Sequence, residues 1–295
     1  MTAEDPAPPG PVTGEDRDRP TAGRPLDGRV ALVTGVSRRI GIGMAVARRL
    51  AALGADLFVT SWTAHDREQP WGADPGGMDA VLAELRAGAA SSSQPPGAGD
   101  PAARRVEHLE ADFLDPEAPG RVMAAAVAAF GRVDILVCNH ARSSEGDLVR
   151  LTAAELDTTL AVNTRAVLLL VQAFAARHDG RPGGRVVLFT SGQQLGPMPD
   201  ELAYATSKGA LVAITPTLAD TLADRGITVN TVNPGPTDTG YADEAVRERV
   251  ATRFPAGRWG TPDDVARLVA WLCTDEAAWV TGQVINSEGG FRRYG

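Results

Sequence analysis

The chain has 295 residues, a formal net charge of −8, 43% hydrophobic and 22% charged side chains, enough for one large α/β domain with a sizeable core. The acidic balance argues against a broad footprint for nucleic acid or anionic lipid, and no run approaches the roughly 18 uninterrupted apolar residues of a membrane span. Cys138 and Cys273 are too few and too far apart for a disulfide framework or a zinc cluster, which points to a reducing cytoplasm.

Residues 1–25 hold six prolines and three glycines with few apolar side chains, and read as a disordered tail ahead of one domain over 26–295. From Arg29 the chain alternates apolar strands with helical runs. Strands are expected at Arg29–Thr34, Ala55–Thr60, Arg105–Glu110, Val133–Cys138, Gly184–Thr190, Ile227–Val232 and Gln283–Asn286. Helical runs fall at Gly43–Leu53, Val122–Phe130, Ala153–Arg177, Leu202–Asp224 and Asp263–Cys273. The break is 70–101, rich in proline and glycine around a short helix at Met78–Ala87, and it reads as a flexible surface insertion. Strands apolar on both faces, alternating with helices, imply a doubly wound parallel sheet of about seven strands with helices on both faces. Ligands of such a sheet bind beyond the carboxyl ends of its strands.

The first strand runs straight into Thr34-Gly35-Val36-Ser37-Arg38-Arg39-Ile40-Gly41-Ile42-Gly43, and a helix follows. Glycines there let backbone approach a pyrophosphate, and the helix start offers free N–H groups. The chain has 28 arginines and a single lysine, Lys208, which stands four residues after Tyr204 in a helical run. That spacing puts phenol and ammonium on one helical face. A cation beside a phenol favours phenolate, so Lys208 is expected to bring the Tyr204 pKa down. Ser191 ends the fifth strand, thirteen residues before Tyr204, where its hydroxyl can hold a carbonyl oxygen as charge develops. Asn163 lies inside the run Ala153–Arg177, a position asparagine does not favour for its own sake. His65, His108, His140 and His178 show no metal-ligand spacing, so no metal is expected.

With these motifs the chain resembles the short-chain dehydrogenase/reductase superfamily over about residues 27–291, its 3-oxoacyl-carrier-protein reductases in particular. The resemblance implies a Rossmann-type fold and an NAD(P)-dependent oxidoreductase with Asn163, Ser191, Tyr204 and Lys208 as catalytic residues. Asn163 would hold a water on the proton path, and Lys208 would also bind the ribose. Five residues, Val36–Ile40, separate Gly35 from Gly41 where the common turn has three, a spacing similar to that of enoyl-carrier-protein reductases. Those relatives space their tyrosine and lysine more widely, which leaves enoyl-thioester reduction as the alternative within enzymes. From another class stands a cofactor-binding regulator without turnover.

The implied cofactor contacts are Gly35, Ser37, Arg38, Arg39, Gly41, Ile42 and Gly43 in the turn, with Asp112 and Phe113 after strand three. Asn139 after strand four, Tyr204 and Lys208, and Pro234, Gly235, Thr237 and Thr239 after strand six complete the set. The second strand ends in Thr60-Ser61-Trp62 without a ribose-binding carboxylate, while Arg38 and Arg39 suit a 2′-phosphate. NADP(H) is therefore expected over NAD(H). The expected partners are a small carbonyl or alcohol substrate and further copies of the chain, as homodimer or homotetramer. The substrate rim is expected from 141–147, 192–201 and a lid over 238–259.

Overall fold

The computed structural model describes residues 23–91 and 104–294. Its strands are β1 (Val30–Val33), β2 (Asp56–Ser61), β3 (Val106–Glu110), β4 (Ile135–Cys138), β5 (Gly184–Phe189), β6 (Ile227–Asn233) and β7 (Val284–Asn286). They form one sheet in the order β3-β2-β1-β4-β5-β6-β7, every pairing parallel. The helices are α1 (Ile42–Ala52), α2 (Thr63–Glu68), α3 (Gly77–Ser91), α4 (Ala118–Phe130), α5 (Ala153–Leu160), α6 (Ala166–Arg177), α7 (Leu202–Ala223), α8 (Glu244–Ala251) and α9 (Pro262–Leu272).

Strand residues alternate between two apolar layers, as a period of two requires. Ala31, Val33, Leu57, Val59, Ile135 and Val137 face a core shared with α1, α3 and α9. Leu32, Phe58, Leu136, Cys138, Val186 and Leu188 face the opposite core, built with α4, α6 and α7. Both faces of the central strands are thus covered, which explains why they carry no polar alternation. The doubly wound fold is the one the strand–helix alternation implies. Going outward from β1 to β3, the chain then returns to β4, so the strand order reverses between β1 and β4. A crevice opens above that point, at the carboxyl ends of the strands.

Two expectations change. Of the insertion at 70–101, the part up to Ser91 is not loose: α3 buries Val81, Leu82 and Leu85 against α1. The helix expected at Met78–Ala87 spans Gly77–Ser91, and its apolar residues at helical spacing tie this part of the insertion to the core. Residues 1–22 of the expected tail, and 92–103 of the insertion, lie outside the described residues. The run Ala153–Arg177, long and apolar enough to span a bilayer by length and composition, packs Ala166, Leu170 and Phe174 into the core. Nor is it one regular helix. A wide π-turn at Ala161–Arg165 separates α5 from α6.

Candidate active site

The glycine turn is shaped by close approach. At Gly35, with φ +73°, a Cβ would lie 2.9 Å from both Asn139 Nδ2 and the His140 Cα, and a Cβ on Gly43 would overlap the Gly35 carbonyl. Asn139 holds the turn by donating from Nδ2 to the carbonyls of Thr34 (3.1 Å) and Gly35 (3.0 Å). His140 pairs through Nδ1 with the Thr34 hydroxyl (2.7 Å) and through Nε2 with the Val162 carbonyl (3.1 Å), and stacks on Phe113. Burial, then the nearby Lys208 charge, pulls its pKa down to about 3, so this ring is a neutral strut. Gly41 caps α1 without a side-chain hydrogen bond, leaving its first-turn N–H groups open toward the crevice.

Gly35, Ser37, Arg38, Gly41, Ile42, Gly43, Phe113 and Asn139 line a recess of about 240 Å³ with Ser61, Trp62 and Ala111. Asp112 does not line it. Its carboxylate accepts the Leu114 N–H at 2.8 Å, closing a local turn that spends one of its oxygens. The two arginines also part company. Arg39 donates through its backbone and side chain to Asp74 and does not line the recess. Arg38 forms no ion pair among the described residues and reaches both the recess and the larger cavity beside it. Burial lowers its pKa, against the pull of Asp66 and Asp74.

That larger cavity, about 710 Å³, runs from Arg38 and Ile42 to Ser191 and Tyr204. Ser191 follows β5, where the parallel sheet ends, and Tyr204 and Lys208 project from one face of α7. The Ser191 hydroxyl is near enough to the Tyr204 phenol to favour its ionised form. The Lys208 ammonium, 3% exposed, donates to the Phe189 carbonyl at 3.0 Å and lies 5.6 Å from the centre of the Tyr204 ring. Burial pulls its pKa down to about 8. The expected lowering of the Tyr204 pKa is not found: burial, with the Glu201 carboxylate adding to it, raises that pKa, and only Ser191 pulls the other way. The cation sits over the ring and is turned toward a carbonyl, whereas the sequence argument assumed that it faces the hydroxyl.

Asn163 sits in the π-turn, fully buried. Its Oδ1 accepts the Arg142 N–H (2.7 Å), and its Nδ2 donates to the Arg142 carbonyl (3.0 Å) and to Ser207 Oγ (3.0 Å). The Ser207 hydroxyl in turn donates to the Tyr204 carbonyl at 2.7 Å. The side chain is therefore occupied in bracing the loop after β4 against α7.

After β6, Pro234, Gly235, Thr237 and Thr239 line the cavity, and Thr239 reaches the smaller recess too. Asn233 Oδ1 accepts the Gly235 N–H at 3.0 Å and the Thr237 hydroxyl bonds back to the Pro234 carbonyl at 3.2 Å, so the turn is fixed by its own polar groups. The remaining wall includes Ser143, Ser144, Glu145, Met198, Asp200, Glu201 and Tyr241, from the three rim segments. Sequence reasoning did not single out Asp66, Trp71 or Arg293, all of which line the cavity. None belongs to a motif, and the one available signal was the pair of glycines, Gly192 and Gly196, against which the Arg293 side chain packs.

A glycine cradle too tight for any Cβ, an uncapped helix start and a half-buried guanidinium without an ion pair among the described residues fit a phosphorylated dinucleotide, and its reactive end would share a cavity with Ser191 and Tyr204.

Residues 75–292 match the family model described as enoyl-(acyl carrier protein) reductase. The chain is 40% identical to the uncharacterized oxidoreductase YjdA of Bacillus subtilis (strain 168), over 90% of this chain and 97% of that protein. It is 34% identical to versicolorin reductase 1 of Aspergillus parasiticus, over 90% and 97% respectively. Among solved structures, a short chain dehydrogenase from Burkholderia cenocepacia J2315 in complex with NADP superposes with a TM-score of 0.76 at 37% identity, over 90% of this chain and 98% of that one.

Proposed function

The chain belongs to the short-chain dehydrogenase/reductase superfamily of NAD(P)-dependent oxidoreductases, and on that footing we propose that it reduces a small-molecule ketone to a secondary alcohol with NADPH. The observation that carries this reading is the single cavity shared by the glycine turn, through Arg38 and Ile42, and by the hydroxyls of Ser191 and Tyr204. When bound, the nicotinamide supplies hydride to the carbonyl carbon. Tyr204, kept protonated by burial, is the group that gives a proton to the carbonyl oxygen. Ser191 stands beside that phenol and holds the same oxygen as negative charge grows on it. Lys208 stands behind the ring, held by the Phe189 carbonyl, and is the residue that would bind the cofactor ribose. Asn163 keeps the loop after β4 and α7 in register.

Arg38 supports NADPH over NADH, because β2 ends without a carboxylate and Arg39 is committed to Asp74. The solved neighbour in complex with NADP supports the same choice. Self-association as homodimer or homotetramer fits the open edge at β7 and the nearby Trp279, 93% exposed. Cys138 and Cys273 are buried and unbridged, as suits the cytoplasm.

Enoyl-thioester reduction is the second reading, favoured by the description of the matching family model. NADPH oxidation over a panel of ketones, 3-oxoacyl thioesters and 2-enoyl thioesters, repeated with NADH, separates the readings. Turnover of the ketones or 3-oxoacyl compounds supports the first, and turnover of enoyl thioesters alone replaces it with the second. Cofactor binding without turnover of any of them makes the chain a binding protein.

A further inference from the structure

The segment Val36–Ile40 forms the body of the glycine turn, and Gln69–Gly77 leads from α2 into α3. The structure joins the two. Arg39 donates from its backbone N–H to Asp74 Oδ2 at 2.9 Å and from Nε to both carboxylate oxygens at 3.1 and 3.0 Å, with its terminal nitrogen 2.9 Å from Oδ1. Asp74 also accepts the Gly76 N–H at 3.0 Å. The carboxylate is 5% exposed, while the arginine stem stays half in solvent. Burial alone would raise the Asp74 pKa, yet the bonds from Arg39 and Gly76 outweigh it and hold the group at about 2. A buried carboxylate with this many donors is a fixed peg, because breaking any of the bonds strands charge away from water.

The peg has one visible consequence. Three residues upstream of Asp74, the Trp71 side chain forms part of the wall of the 710 Å³ cavity, beside Arg38, Asp66 and Ile42. Trp71 thus shares a cavity wall with Arg38 and Ile42 of the glycine turn, on the segment that the ion pair fastens to that turn.

We propose that Arg39, Asp74 and Trp71 form a clasp over the bound dinucleotide: the ion pair positions the segment, and Trp71 contacts the cofactor and slows its release. The proposal rests on the reading that the cleft binds a nicotinamide dinucleotide. It makes Arg39 a positioning residue and leaves recognition of a 2′-phosphate to Arg38.

The test is the rate at which NADPH leaves the full-length protein, followed by nicotinamide fluorescence in a stopped-flow chase with excess NADP+. Trp71→Ala is expected to raise the dissociation rate about tenfold with little change in association. Asp74→Asn should raise it by a similar factor, and the double variant should release no faster than either single one, since both open the same clasp. Trp71→Phe, which keeps an aromatic plane, should stay within about twofold of the parent. Thermal unfolding of the apoproteins separates this from general damage, because Trp71→Ala leaves the buried ion pair intact and should melt near the parent. Release from Trp71→Ala at the parental rate overturns the clasp, as does an additive double variant. If the parent binds neither NADPH nor NADH, the proposed function falls with it; if the parent binds and Trp71→Ala releases no faster, the clasp alone falls.

Discussion

The Lys208 ammonium lies 5.6 Å from the centre of the Tyr204 ring and spends a hydrogen bond on the carbonyl of Phe189. Lysine and tyrosine are therefore neighbours through the face of the ring, and burial governs both: it lowers one pKa and raises the other. The phenol enters the reaction as a proton donor, the state that carbonyl reduction requires.

Removing that proton is the most direct check. Tyr204→Phe should lower kcat by about 10²–10⁴-fold, the range for a lost general acid, while the Kd for NADPH from fluorescence titration stays within about twofold. Ser191→Ala should cost about 10²–10³-fold in kcat, as for loss of one donor to a developing oxyanion. Undiminished turnover in Tyr204→Phe would falsify the mechanism.

Arg38→Ala should weaken NADPH binding by about 10- to 100-fold, the worth of a charge-assisted hydrogen bond to phosphate, and leave NADH within about threefold. Paired titrations with the two cofactors read this directly. Equal losses for both would remove the assignment of Arg38 to the 2′-phosphate.

Lys208 makes stability depend on pH with a definite sign. Its folded pKa of about 8 lies below the ordinary lysine value of 10.5, so the unfolded chain binds more protons between those values. The burial penalty is in full force below about pH 8 and is relieved as pH rises toward 10.5, worth on the order of 3 kcal/mol. Cys138, Cys273 and Tyr204 oppose this at the alkaline end, because burial raises each of them. The signal is therefore the difference between parent and Lys208→Met. Chemical denaturation from pH 7.5 to 10 should show the variant's stability advantage shrinking as pH rises. A constant difference would mean that the buried lysine does not titrate in this window.

Asn163→Ala leaves the Arg142 N–H and carbonyl without their buried partner and should destabilise the protein by about 2–4 kcal/mol. Urea unfolding measures it, and a loss below about 0.5 kcal/mol would show that the brace is slack.

The fold was legible because its physics is local. Strands such as Ala31–Val33 are apolar at every position, a pattern that only a sheet covered on both sides explains. Gly35 and Gly43 were legible as a phosphate cradle, and the spacing of Tyr204 to Lys208 as one face of a helix. What escaped depends on contacts between distant segments. Nothing near Arg39 announces Asp74, thirty-five residues away, and the composition around Trp71 suggests only a loop. The hydrophobic run Ala153–Arg177 hides its own interruption, since every turn of it carries apolar side chains. The direction of the Tyr204 shift was missed because sequence spacing reports a nearby cation and says nothing about how little water reaches the ring.

The wide turn at Ala161–Arg165 has a consequence for how this region tolerates change. One surplus residue has been threaded into a coil that would otherwise be a stronger rod, and the surplus rotates everything downstream relative to α5. Trimming a single residue there would yield a neater cylinder with Asn163 swung away from Arg142 and Ser207. Variants selected only for thermal endurance would drift toward that tidier geometry, and the crevice would lose its alignment before the molecule lost its shape.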